Sequence, residues 1–118
     1  MNKRLNTPTV EQLFKAILTL KSVDECYDFF EDVCTINELL SISQRLDVAR
    51  MLCEHRTYLD ISNETGASTA TISRVNRSLS FGNDGYNMVF SRMGLLGENA
   101  EAPLPRRFFR SGRSWKAG

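Results

Sequence analysis

Apolar side chains recur three and four positions apart along most of this 118-residue chain, the spacing that lines one face of an α-helix. Three segments open with a hydroxyl residue followed three positions later by Glu or Gln: Thr9 and Gln12 after Pro8, Ser22 and Glu25, Thr35 and Glu38. In such a capping box the hydroxyl accepts from the backbone N–H three residues on, while the acid or amide reaches back to the N–H of the cap. The first predicted helix carries Val10, Leu13, Phe14, Ile17 and Leu18. The second carries Val23, Cys26, Phe29, Phe30 and Val33, and the third Ile36, Leu39, Leu40, Leu46, Ala49, Leu52 and Cys53.

Beyond Glu54-His55-Arg56 a short helix of about two turns is predicted over residues 58–65, containing Leu59 and Ile61 and stopped by Gly66. Ser68 caps a following helix through Leu79, whose inward or contact positions are Ala70, Ile72, Val75 and Leu79. Gly82-Asn83-Asp84-Gly85 is a turn before a last helix over about residues 86–93. From Gly94 the pattern dissolves. No segment alternates with the period of a strand, so the expected fold is all-α with about six helices. The expected organisation is an N-terminal arm over residues 1–8, a helical domain over 9–94 and a flexible basic tail over 95–118.

Composition narrows the function. With 42% hydrophobic and 25% charged residues the chain resembles an ordinary globular domain, and its length suits a single one. The apolar runs fall short of the roughly 20 residues of a membrane helix, and Lys3-Arg4 leads into polar residues, so neither a membrane span nor a signal peptide is expected. Three cysteines, Cys26, Cys34 and Cys53, form no close metal-ligand pair and fit reduced thiols in the cytoplasm. A single histidine, His55, precludes a multi-imidazole metal site, and it reads as a polar residue meeting the carbonyls at a helix end. No phosphate-binding glycine loop is present and no spare histidine serves a catalytic triad, so no cofactor and no enzymatic activity are expected; the 14 acids leave a carboxylate site as the one enzymatic alternative, disfavoured by the missing motifs.

Charge is uneven. Residues 1–97 hold 10 Lys/Arg against 12 Asp/Glu, and residues 98–118 hold 5 against 2. Between Val23 and Glu38 the charged residues are all acidic, whereas Thr69 to Leu79 contains Arg74 and Arg77 and no acid, so a polyanion is repelled by the first segment and attracted by the second. In the tail, Arg106, Arg107, Arg110, Arg113 and Lys116 alternate with Phe108, Phe109 and Trp115. Such a segment reads either as an arm that follows nucleic acid or as a flexible extension.

Residues 57–75 have the layout of a helix-turn-helix: a short helix, a glycine turn, and a helix whose first turn is small and hydroxylated. That layout brings Thr69, Ala70, Thr71 and Ser73 to a major groove, with Ser68, Asn63, Arg74, Asn76 and Arg77 at the backbone or outer bases. Spacing alone also describes a helical hairpin that binds another protein.

The run Gly66-Ala67-Ser68-Thr69-Ala70-Thr71-Ile72-Ser73-Arg74 resembles the recognition segment of tryptophan repressors, and more closely that of the YerC/YecD branch of the superfamily. Residues 34–38, 44–52 and 82–84 are similar to the same branch, so the likeness spans about residues 9–93. The resemblance implies an all-helical, intertwined homodimer that binds double-stranded DNA and regulates transcription as a repressor, without covalent chemistry. It also implies an effector pocket. Arg45 and Arg74 match the arginines that sandwich the indole of the corepressor, and Thr35 matches a contact near its amino group. Val75, however, stands where tryptophan repressors have a glycine that leaves room for the ring. A β-branched side chain there fills the space, which argues against tryptophan and leaves Arg45 and Arg74 to phosphate or to acids such as Asp47 and Glu38.

Overall fold

The computed structural model describes residues 1–95, in which every regular element is a helix: a 3₁₀ turn Lys3–Leu5, then α1 (Pro8–Ile17), α2 (Val23–Val33), α3 (Ile36–Cys53), α4 (Tyr58–Thr65), α5 (Thr69–Phe81) and α6 (Gly85–Arg92). The basic aromatic tail lies outside the described residues. Contacts divide the chain into two compact units, Met1–Leu40 and the residues from Ser41 onward.

In the first unit the helix starts follow the sequence with one correction. The Ser22 hydroxyl accepts from the Glu25 N–H at 3.1 Å, and the Glu25 carboxylate accepts from the Lys21 N–H at 2.9 Å, one residue further back than the ideal box. Thr35 and Glu38 make the full reciprocal pair, with N–H to side-chain oxygen distances of 3.1 and 2.8 Å. These bonds from Thr35 favour the carboxylate and hold the Glu38 pKa below its ordinary value. The first helix, by contrast, is capped by Thr7, not Thr9: the Thr7 hydroxyl accepts from the Val10 N–H at 3.2 Å and Pro8 occupies the first turn. Proline lacks an N–H and its φ is already helical, so Pro8 begins the helix and the hydroxyl before it becomes the cap.

No residue of this unit is buried. Phe14, Leu18, Val23, Tyr27 and Ile36 are all more than half exposed. Phe29 and Phe30 meet edge to face at 5.3 Å but remain only half-buried, as does Cys26, which the helical spacing placed on a core face.

The second unit holds the core. Val48, Ala49, Met51 and Cys53 of α3, Ile61 of α4, Ala67, Ile72, Val75 and Leu79 of α5, and Phe90 of α6 are buried together. Each large side chain of this set contributes about 1.5 to 3 kcal/mol relative to exposure. Burial pushes the Cys53 thiol up to about 12, with Glu54 adding to the shift. The end of α3 is a Schellman closure: the His55 N–H donates to the Leu52 carbonyl at 3.0 Å and the Arg56 N–H to the Met51 carbonyl at 3.1 Å. The left-handed position is occupied by His55, at φ 62°, where glycine is usual, and its Nε2 is buried without a hydrogen-bond partner. His55 thus serves the helix end through its backbone, not through its ring.

Candidate nucleic-acid interface

The helix-turn-helix lies wholly within the second unit and is built by local hydrogen bonds. The Thr57 hydroxyl starts α4 by accepting from the Asp60 N–H at 3.1 Å. At its end Gly66 adopts φ 76°, and its N–H donates to the Ser62 carbonyl at 2.9 Å. A side chain at that φ is strained, so glycine is required for the chain to turn here. The Thr65 hydroxyl donates to the Ile61 carbonyl at 2.7 Å and accepts from the Ala67 N–H at 3.1 Å. From α3, the Gln44 amide donates to the Thr65 carbonyl at 3.1 Å and ties the turn to the scaffold. Arg56 and Glu64 form an ion pair across α4.

Ser68 then caps α5. Its hydroxyl accepts from the Thr71 N–H and donates to the Thr71 hydroxyl, both at 3.1 Å. At about 100° per residue, α5 divides into two faces. Ile72, Val75 and Leu79 point into the core at 0%, 1% and 4% exposure. Ala70, Ser73, Arg74 and Arg77 share the opposite, exposed face, with exposed Thr69 at its edge and half-buried Thr71 and Asn76 on its flanks. Of the inward or contact positions read from the spacing, Ile72, Val75 and Leu79 are inward and Ala70 is outward. The exposed N-terminal turn of a helix attracts anions, and no acid occurs from Thr65 to Asn83.

The two apolar residues that the sequence places on α4 divide: Ile61 is buried, but Leu59 is 71% exposed. It stands one turn before exposed Asn63, on the same side of the helix. Eight residues make barely two turns, and Tyr58 and Ile61 suffice to anchor them, so Leu59 falls outside the buried arc. Phe81, at the end of the outward face of α5 and 60% exposed, was also not singled out from the sequence.

Ion pairing corrects a second expectation. Asp47 and Glu54 both pair with Arg50, at 2.7 and 2.8 Å, and Glu38 is engaged with Thr35. The ion pairs among the described residues do not use Arg45, Arg74 or Arg77. Arg45 is half-buried, and its charge acts on the Tyr86 hydroxyl, lowering a pKa that burial raises more strongly. A groove of about 490 Å³ lies between Leu46, Ser78, Gly82, Tyr86, Met88 and Val89; neither Arg74 nor Val75 lines it. Gly82 is fixed there by space: a Cβ would sit 2.5 Å from the Ser78 carbonyl oxygen. Among the described residues no group of His, Cys, Asp and Glu is arranged to hold a metal ion, and no helix is long and apolar enough to cross a membrane.

Comparison with known proteins places this geometry. The family model described as Trp repressor protein matches residues 8–94. The uncharacterized protein YerC of Bacillus subtilis (strain 168) is 58% identical over 90 residues, covering 76% of this chain and 86% of that protein. A TrpR-like protein from Eubacterium eligens ATCC 27750 superposes with a TM-score of 0.79 at 71% identity, covering 82% of this chain and all of the other. A candidate Trp repressor from Staphylococcus aureus does so with a TM-score of 0.75 at 55% identity, over 77% and 91% of the two chains.

Proposed function

The chain belongs to the Trp repressor protein family, and on that premise we propose that it is a cytoplasmic transcription regulator that binds a two-fold symmetric double-stranded DNA site as a homodimer. The observation that carries this reading is the division of α5, which buries Ile72, Val75 and Leu79 and leaves Ala70, Ser73, Arg74 and Arg77 facing outward behind a Ser68-capped N-terminus. In this reading Thr69, Ala70, Thr71 and Ser73 meet base edges. Ser68, Asn63, Arg74, Asn76 and Arg77 contact the backbone or outer bases, and regulation works by occupancy of DNA, without covalent chemistry.

The homodimer is supported by the first unit, whose helices carry large apolar side chains and bury none of them within one chain. A two-fold dimer is the commonest way to cover such faces, and two recognition helices match a symmetric site. Tryptophan is not the effector in this reading, because Val75 is packed in the core at 1% exposure, where the family resemblance calls for glycine.

The test is selection of duplexes from a random pool, followed by titration of the enriched sequence across salt concentrations. Binding through phosphates makes log affinity fall linearly with log salt. A folded protein that enriches no sequence and shows no salt-sensitive affinity for duplex DNA would favour the helical protein-interaction module instead.

A further inference from the structure

The first turn of α5 and the turn before it lack the side chains that identify bases through paired hydrogen bonds; Asn63, Arg74 and Arg77 stand outside that stretch. From Gly66 to Ser73 there is no Arg, Lys, Asn, Gln, Asp or Glu, the residues that make bidentate contacts to base edges. The hydroxyl of Thr71 is already bonded to Ser68. Beside the hydroxyls of Ser68, Thr69 and Ser73, what this surface presents is hydrocarbon. Ala70 sits at the centre of the exposed face of α5, and Leu59 is 71% exposed on α4, on the side that carries Asn63. Leu59 has no part in the core, which α4 reaches through Ile61 and Tyr58. It is more exposed than any other large hydrophobic residue described from Ser41 onward. An isolated exposed leucine is ordinary on a surface that binds nothing, but this one shares its side of α4 with Asn63, which the DNA reading brings to the backbone or outer bases beside the groove.

A major groove offers one apolar feature to such side chains, the C5 methyl group of thymine. We propose that this protein selects its DNA site by thymine methyl groups, contacted by Leu59 of α4 and Ala70 of α5. The inference rests on the DNA-binding reading above and adds the chemical group that is read. Arg74 and Arg77 then hold the helix pair on phosphates without choosing bases.

The experiment replaces each thymine of the selected duplex by deoxyuridine, which removes the methyl group and leaves base pairing intact. Contacted thymines should each lose about fourfold in affinity, the fold-change that corresponds to about 0.8 kcal/mol for one buried methyl-sized group. Leu59→Ala and Ala70→Gly should each bring the thymine-to-uracil ratio at one position to about one. Because that ratio compares two duplexes with the same protein, a general loss of stability does not move it. If no uracil position changes affinity beyond error while the parent duplex binds well, the proposal is overturned and the DNA reading stands. Loss on 7-deazaguanine substitution in its place would assign the readout to Arg74 or Arg77. An unchanged ratio in either variant removes that residue from the proposal, and failure to bind any duplex overturns both readings together.

Discussion

Three single residues carry separable consequences. Val75 occupies the core where the family resemblance places space for an indole ring, so calorimetric titration of the native protein with L-tryptophan should give no saturable heat at micromolar concentration. Val75→Gly should lose about 2 to 4 kcal/mol of stability in chemical denaturation, from the emptied volume and a glycine within a helix. Saturable tryptophan binding by the native protein would show that the valine does not close the pocket. Cys53 is buried, with its thiol pushed up to about 12, so at pH 8 it is almost wholly protonated. Alkylation followed by mass spectrometry should therefore modify Cys53 only on unfolding. His55 holds a left-handed conformation that costs a residue with a Cβ about 1 to 2 kcal/mol. His55→Gly should raise stability by about 1 kcal/mol at fixed protein concentration, and a loss would show that the ring packs more usefully than its unpartnered Nε2 suggests.

At the scale of elements, the proposed function rests on the side that α5 leaves uncovered. Ser73→Glu places a carboxylate on that side, and Thr71→Glu places one at its flank, where either meets phosphate at close range. Both variants should abolish duplex binding. Circular dichroism and sedimentation should remain those of the native protein, most clearly for Ser73→Glu, because Ser73 is exposed and makes no core contact. Normal binding by these variants would mean that α5 is not the reading helix. Much of this element order was legible in the sequence, because caps and stops are local chemistry: Ser22 with Glu25, Thr35 with Glu38, Ser68, and Gly66 all act within a few residues of themselves. The Thr7 start was obscured because hydroxyl residues flank Pro8 on both sides, and only the fixed φ of proline decides between them. The α3 end carried no glycine signal because His55 takes the left-handed position. Which way Leu59 faces was not legible because an eight-residue helix is too short for spacing to define which of its apolar residues is turned inward.

On the scale of the whole molecule, none of the first forty residues is buried within one chain, and the proposed homodimer accounts for that. In that reading the apolar faces that announced helices in the sequence are the same faces that the partner covers, and periodicity alone does not distinguish those two uses. The most decisive measurement is analytical ultracentrifugation of the protein alone and with a selected duplex, at two salt concentrations. The expected result is a dimer without DNA, and two chains per duplex at low salt that dissociate from the duplex, but not from each other, as salt rises. A stable folded monomer at micromolar concentration, or a dimer that ignores the duplex at low salt, would contradict the proposed function.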